Sequence, residues 1–121
     1  MGEANTILIV DDEPLVRDLL LRRLRDFGYC ALGAASHEEA LKLLQEYKQI
    51  GVVMLDILMP RRNGMGTAEA IKKDFPLVKI IISSVFPQDE QRFLIGCADG
   101  YYDKSDAFSI LTNNIDRLLC V

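Results

Sequence analysis

Cysteine is scarce in this chain, and its distribution excludes the sites that depend on clustered thiols. The chain has three cysteines, at positions 30, 97 and 120, and a single histidine. An odd number of widely spaced cysteines matches neither a disulfide framework nor the paired spacing of a zinc site. We therefore expect reduced thiols in a cytoplasmic protein.

Long hydrophobic runs and basic clusters are also lacking. No apolar stretch reaches the roughly 20 residues of a membrane-spanning helix, and the opening MGEANTILIV lacks the basic-then-apolar layout of a signal peptide. The net charge is −4, and the arginines of the first predicted helix are interpreted as a solvated face: Arg17, Arg22, Arg23 and Arg25. The sequence therefore predicts a protein that binds neither a membrane nor nucleic acid directly.

What the chain does contain is a regular alternation of apolar runs and amphipathic stretches. Its 121 residues are 50% hydrophobic and 26% charged, as in one ordinary globular domain, which we expect to cover residues 1–121. The apolar runs cover residues 7–10, 30–34, 52–55, 78–82 and 101–102. The stretches between them predict helices over residues 15–27, from residue 36 onwards, and over 65–74, 88–95 and 106–119.

Local signals mark the ends of the first two helices. Gly28 can end the first helix, whose apolar face carries Val16, Leu20, Leu24 and Phe27. Ser36 and Glu39 form a capping box at the start of the second helix, whose apolar face extends to Tyr47.

The alternation of strands and helices predicts an α/β domain. Three of the apolar runs are nearly continuous in valine, isoleucine and leucine, which is typical of parallel strands covered on both faces. Five such units predict a flavodoxin-like (βα)5 three-layer sandwich with a parallel five-stranded sheet of order 2-1-3-4-5.

Polar residues follow the apolar runs, at the edge where open parallel sheets bind their ligands. They are Asp11, Asp12 and Glu13 after the first run, Asp56 after the third, Ser83 and Ser84 after the fourth, and Lys104 after the fifth. Because strands 1 and 3 are neighbours in the predicted order, we expect the aspartates to crowd together.

Crowded carboxylates repel each other unless one binds a proton or a cation neutralises them. A site of oxygen ligands without histidine or cysteine favours Mg²⁺ or Mn²⁺. An aspartate can also be a nucleophile that becomes an aspartyl phosphate, while a metal ion and an ammonium offset the charge of the transferred phosphoryl group.

Each residue also has a simpler interpretation. Asp12 before Pro14 could be only a helix cap, Ser84 could be another cap, and Lys104 alone is typical of a solvated surface lysine. The combination carries the prediction, because residues of complementary chemistry fall at the same ends of successive strands.

Four segments carry a pattern that covers essentially the whole chain. They are Ile9-Val10-Asp11-Asp12-Glu13, Leu55-Asp56-Ile57-Leu58-Met59-Pro60 followed by Gly64, Ile82-Ser83-Ser84, and Tyr101-Tyr102-Asp103-Lys104. In order and spacing they resemble the receiver domain of response regulators, within the CheY-like superfamily.

The resemblance implies a role for each acidic residue. Asp56 is the phospho-acceptor. Asp12 and Asp56 bind the Mg²⁺ or Mn²⁺ ion directly, together with the backbone carbonyl of Leu58, and Asp11 acts mainly through water.

The resemblance also implies three residues that respond to the phosphoryl group. The hydroxyl of Ser84 turns toward it, Lys104 contacts one of its oxygens, and Tyr101 occupies the position of an aromatic side chain that changes rotamer.

The implied function is a phosphorylation switch of a two-component phosphorelay. Its donor is a histidine kinase or a histidine phosphotransfer protein. Phosphorylation changes the surface around the fourth helix, fifth strand and fifth helix for a downstream protein or an attached output domain. A homodimer formed on phosphorylation also fits. The chain is not an enzyme beyond its own phosphorylation and dephosphorylation.

The chain departs from the family at two places, and other functions stay open. Ser105 follows Lys104 where the family usually has proline, and could cap the last helix. The stretch between Ser84 and Lys104 is shorter than usual. A receiver-like docking module that is not phosphorylated is therefore one alternative. A phosphatase of the haloacid-dehalogenase type is another, although Leu58 stands where that class needs a second aspartate.

Overall fold

The computed structural model describes residues 5–56, 64–84 and 98–119, without the side chains at positions 64, 65 and 84. Its strands are β1 (Thr6–Val10), β2 (Cys30–Ala34), β3 (Ile50–Asp56), β4 (Lys79–Ser84) and β5 (Gly100–Asp103). Its helices are α1 (Pro14–Asp26), α2 (His37–Glu46), α3 (Gly64–Asp74) and a last helix, Phe108–Leu119. The predicted helix over residues 88–95 lies outside the described residues.

The five strands form one parallel sheet in the order β2-β1-β3-β4-β5. This is the predicted order, and it places β1 and β3 side by side at the centre. The register pairs Val10 with Leu55, and Asp56 with Ser83, so that β1, β3 and β4 end at one edge of the sheet. That edge carries the polar residues that the sequence singled out.

Both faces of the sheet are buried, which explains the continuous apolar runs. Successive strand residues point to opposite faces, so Leu8 and Val10 join one apolar cluster while Ile7 and Ile9 join the other. The first cluster packs against α2 and α3, and the second against α1 and the last helix. The domain is therefore the predicted three-layer sandwich.

The Gly28 signal after the first helix and the Ser36 cap of the second helix are confirmed. Gly28 follows α1 with a φ of 95°, a conformation that suits glycine. The Ser36 hydroxyl accepts a hydrogen bond from the Glu39 amide at 3.1 Å, as in a capping box. The Glu39 carboxylate reaches one residue further back than the usual box and accepts from the Ala35 amide at 2.6 Å.

Three predictions at helix ends were wrong. Phe27 and Tyr47 were expected on apolar faces, but each follows the end of its helix, where helical periodicity no longer sets the side-chain direction. Their exposures are 63% and 37%. The last helix begins at Phe108 rather than Asp106, because the amide of Asp106 closes a turn on the carbonyl of Asp103 at 2.8 Å.

Contacts of Asp99, at the opposite edge of the sheet, hold the start of β5 beside β4. Asp99 accepts hydrogen bonds from Lys72 Nζ and from the Ile80 amide, each at 2.8 Å, and its own amide donates to the Ile80 carbonyl. These contacts fix the start of the strand that leads to Lys104. Within the described ranges, no helix has both the length and the apolar composition needed to cross a bilayer.

The packing of α1 against the sheet generates a prediction about stability. Leu24 is fully buried, whereas Leu19 on the same helix is 54% exposed. Leu24→Ala is expected to lower the free energy of unfolding by about 2–5 kcal/mol, and Leu19→Ala by less than about 1 kcal/mol, as measured by urea denaturation. Equal losses in the two variants would contradict the assigned packing.

Tyr29, between α1 and β2, contacts the last helix. This contact generates a prediction about how the stability of the fold depends on pH. The Tyr29 hydroxyl donates to the Asp116 carboxylate. Burial, and then this carboxylate, raise the pKa of Tyr29 from 10.0 to about 12. The unfolded chain therefore ionises first as pH rises, so this stabilisation is complete below pH 10 and is lost between pH 10 and about 12.

Tyr29→Phe is expected to flatten the loss of unfolding free energy across this alkaline interval, as measured by urea denaturation at several pH values. Tyr47→Phe, at an exposed tyrosine, is the matched control and is expected to keep the wild-type slope. A wild-type slope in Tyr29→Phe would show that the Tyr29–Asp116 contact does not stabilise the fold.

Candidate phosphoryl and metal site

Three aspartates come together at the carboxyl edge of the sheet. Asp56 is the last residue of β3, while Asp11 and Asp12 directly follow β1, its neighbour. One carboxylate oxygen from each lies within 4.8 Å of the others. Asp11 and Asp56 are buried and Asp12 is half-buried. The expected crowding of the three acids is therefore present.

The ammonium of Lys104 joins two of these acids. Its Nζ lies 3.1 Å from Asp11 Oδ2 and 3.2 Å from Asp56 Oδ2. Burial of the ammonium lowers its pKa, but the carboxylates of Asp56 and Asp11 outweigh that effect, so the pKa of Lys104 is raised overall. The lysine therefore remains a cation at neutral pH. It is not the solvated surface lysine of the simpler interpretation.

The remaining charge fits a divalent cation. By formal charge, three carboxylates and one ammonium leave two negative charges in the cluster. The available ligands are oxygens, the type that Mg²⁺ and Mn²⁺ prefer. Oxygens within 4.8 Å of one another can share an octahedral ion that keeps some water ligands. The residues present therefore fit a magnesium ion.

Asp11 is held by contacts at both carboxylate oxygens and at its backbone carbonyl. Its Oδ1 accepts from the Glu13 amide at 3.0 Å and its Oδ2 from Lys104. Its backbone carbonyl accepts from Arg17 Nη1 at 2.8 Å. The interpretation of Arg17 as part of a solvated face was therefore wrong, because this half-buried side chain turns inward.

A glycine in β2 gives Arg17 the space that it needs. A Cβ at Gly33 would lie 3.1 Å from Arg17 Cδ and 2.9 Å from Leu21 Cδ1. A Cβ there would require the Arg17 stem and the Leu21 methyl group to shift. The sequence contains no local signal for this support, since it depends on how α1 crosses β2.

An Asx-type turn holds the loop that presents Lys104. The amide and hydroxyl of Ser105 donate to Asp103 Oδ1, at 2.8 and 2.7 Å. These bonds lower the pKa of the Asp103 carboxyl. Ser105 therefore holds the turn rather than capping the last helix, which corrects the sequence-based expectation. Where the family usually has proline, this chain fixes the turn with hydrogen bonds.

The other predicted residues lie as follows. Ser84 is the last residue of β4, and its side chain is not described. Leu58 lies outside the described residues. Tyr101 lies in β5, half-buried, and packs against the cluster under α2 and α3. Ser83, which the sequence placed after the fourth strand without a role, is a fully buried residue of β4.

Lys104 and a metal ion would compete for the same cluster of carboxylates, which generates a prediction. Lys104→Met is expected to tighten Mg²⁺ binding about threefold to tenfold at low salt, because a unit charge about 6 Å from a divalent ion opposes binding by roughly 1.4 kcal/mol even in water. Isothermal titration calorimetry measures the change. Lys73→Met, at an exposed lysine on α3, is the control. Weaker binding in Lys104→Met would contradict the competition.

Comparison with known proteins identifies a family whose sequence pattern this chain matches. The response regulator receiver domain family matches residues 7–116 of the chain. An NtrX-like response regulator of Rickettsia conorii is 42% identical over 80 residues, which are 64% of this chain and 17% of that protein. The transcriptional regulator ycf27 of Guillardia theta is 39% identical over 79 residues, 65% of this chain and 31% of that protein. The matched segment spans less than a third of either relative.

Solved structures extend the similarity to the whole fold. The response regulator TrrA of Thermotoga maritima, in complex with Mg²⁺ and BeF, is 35% identical with a TM-score of 0.85, covering 94% of this chain and 98% of that one. TrrA in complex with the histidine kinase ThkA gives 36% identity and a TM-score of 0.86, covering 95% and 98%. This chain therefore belongs to the response regulator receiver domain family of two-component signalling.

Proposed function

We propose that this chain, as one receiver domain over residues 1–121, is a phosphorylation switch whose phospho-acceptor is Asp56. The observation that carries the proposal is the bridge from Lys104 to Asp11 and Asp56 beside the half-buried Asp12. A buried nucleophilic carboxylate, a cation site and a nearby ammonium are the groups that phosphoryl transfer to an aspartate requires.

In the proposed transfer, a carboxylate oxygen of Asp56 attacks the phosphorus of a phosphohistidine. The bond between phosphorus and nitrogen breaks, and its electron pair leaves with the imidazole. Lys104 releases Asp56 and Asp11 and places its ammonium on a phosphoryl oxygen, where it offsets the transferred charge. Arg17 and the Glu13 amide hold Asp11 in place throughout.

The metal ligands in this proposal are Asp12, Asp56 and the backbone carbonyl of Leu58, with Asp11 acting mainly through water. The engaged oxygens of Asp11 support this indirect role. A bound Mg²⁺ or Mn²⁺ supplies positive charge to the phosphoryl oxygens.

The phosphoryl group then acts on the rest of the domain through β4 and β5. The Ser84 hydroxyl and Lys104 gain new acceptors, and Tyr101 responds from its half-buried position in β5. We propose that the altered surface beyond β4 and around the last helix binds a downstream protein or an attached output domain, or a second copy of this chain.

The proposed donor is a histidine kinase or a histidine phosphotransfer protein in the cytoplasm. The structure of TrrA with the histidine kinase ThkA supports this choice, because TrrA is similar to this chain over nearly its whole length. The domain is regulatory, and its own chemistry is limited to accepting the phosphoryl group and losing it to water. The alternative is a docking module that is not phosphorylated.

Treatment with acetyl phosphate and Mg²⁺ distinguishes a phosphorylation switch from a docking module that is not phosphorylated. Intact-protein mass spectrometry is expected to show the addition of one phosphoryl group to wild type, because the small donor replaces the kinase. Asp56→Asn is expected to abolish the addition. Asp74→Asn, at an exposed aspartate at the end of α3, is the matched control and keeps it.

Two results would contradict the proposed function. An unmodified wild-type protein at high acetyl phosphate would leave the docking module as the function. Full modification of Asp56→Asn would place the acceptor at another residue.

A further inference from the structure

The lysine bridge of the candidate site spans more than half of the sheet. Lys104 follows β5, and the sheet order places β4 and β3 between β5 and β1. At about 4.8 Å per strand, the contact to Asp56 spans roughly 10 Å between strand axes and the contact to Asp11 roughly 14 Å. An extended lysine side chain reaches only about 6 Å from Cα to Nζ, over five bonds of about 1.5 Å each. The backbone at Lys104 must therefore be placed accurately for the bridge to close.

The side chain of the preceding residue fixes this part of the backbone. Asp103 Oδ1 accepts two hydrogen bonds, from the amide and the hydroxyl of Ser105 at 2.8 and 2.7 Å. The Asp103 carbonyl also accepts from the Asp106 amide at 2.8 Å. Lys104 therefore lies between two residues that are bonded to each other, and its main chain leaves β5 in one defined direction.

The far end of the same loop is held by different contacts. The Tyr102 hydroxyl donates to the Asp106 carbonyl at 3.1 Å. The guanidinium of Arg23, on α1, lies 4.2 Å from the centre of the Phe108 ring at the start of the last helix. These contacts attach the loop to β5 and α1 without using the Asp103 carboxylate. Loss of the Asp103 bonds would therefore loosen the turn at the lysine while the loop stays attached to the domain.

Both side-chain bonds of this turn depend on the residue at position 105. Serine supplies an amide and a hydroxyl as donors, whereas the proline that the family usually has at this position supplies neither. The Asp103 carboxylate thus finds its partners in a residue by which this chain departs from the family. The turn is therefore a feature of this chain's own sequence.

We propose that Asp103 is a positioning residue that acts through Lys104, because its carboxylate holds the turn from which the ammonium reaches Asp11 and Asp56. The inference deepens the proposed function and rests on it, since the same turn also presents Lys104 to the phosphoryl group. In this role Asp103 is neither a metal ligand nor a nucleophile.

Two substitutions of Asp103 separate the turn from the charge. Asp103→Asn and Asp103→Ala both remove a negative charge, but only asparagine keeps an oxygen that accepts from Ser105. A lysine released from the turn competes less for the carboxylates. Asp103→Ala is therefore expected to bind Mg²⁺ about twofold to fivefold more tightly than Asp103→Asn, part of the effect of removing the ammonium. Isothermal titration calorimetry measures the difference.

The rate of phosphorylation by acetyl phosphate is expected to change in the opposite direction. A displaced ammonium stabilises the transferred phosphoryl group less well, so Asp103→Ala is expected to be modified about threefold to tenfold more slowly than Asp103→Asn. Intact-protein mass spectrometry measures both rates. General damage to the site would weaken Mg²⁺ binding and slow phosphorylation together, so the opposite directions identify an effect on the lysine.

The same pair of substitutions in a Lys104→Met background tests whether Asp103 acts through the lysine. A residue that acts only through a partner loses its effect when that partner is removed. Without the ammonium, the alanine and asparagine variants are therefore expected to bind Mg²⁺ equally. Urea denaturation checks that each variant is folded.

Three results would overturn the inference. They are equal Mg²⁺ affinities of Asp103→Ala and Asp103→Asn, weaker Mg²⁺ binding by Asp103→Ala, and a difference that persists in the Lys104→Met background. Failure of the proposed function gives a distinct result, because wild type then stays unmodified by acetyl phosphate while the lysine-dependent difference in Mg²⁺ affinity remains.

Discussion

The ammonium of Lys104 joins two of the acidic residues of the candidate site. Lys104 binds Asp11 and Asp56, which follow two different strands, and reaches them from the end of a third. Without that charge, three carboxylates within 4.8 Å would repel one another. The bridge therefore links the carboxyl ends of β1, β3 and β5. A ligand that moves the ammonium breaks contacts to residues at the ends of β1 and β3.

The same bridge explains how a local charge could act at a distance. The lysine lies on the loop that follows β5, and that loop is fixed by the hydrogen bonds of Ser105 to Asp103. Movement of the ammonium therefore acts on a turn whose conformation is held by hydrogen bonds. Tyr101 lies on the same strand, so it is placed to respond to that movement.

Sequence reasoning predicted the fold and most of the site because both depend on simple periodic signals. Continuous apolar runs indicated strands buried on both faces, and the positions after those runs contained the aspartates and Lys104. It failed where packing between elements determines the position of a side chain. Phe27 and Tyr47 leave the helical period at the ends of their helices. Arg17 reaches the Asp11 carbonyl while its stem packs closely over Gly33 of β2, a contact between elements that the sequence does not show.

The two adjacent serines of β4 show how register adds to the sequence pattern. Sequence reasoning assigned the responding hydroxyl to Ser84, within the segment Ile82-Ser83-Ser84. Only the pairing of strands reveals that Ser83 is the buried neighbour of that aspartate. A one-residue difference along a strand changes the face on which a side chain lies, so the sequence pattern alone does not show which of the two serines shares a face with Asp56.

A crystal structure of this protein with Mg²⁺ and beryllofluoride tests the central claim most directly. The account predicts beryllofluoride on Asp56, the metal ion beside Asp11 and Asp12, and the Lys104 ammonium on a fluoride more than about 4 Å from Asp11, beyond ion-pair distance. It is contradicted if beryllofluoride binds elsewhere, or if it binds Asp56 while Lys104 still bridges the two carboxylates.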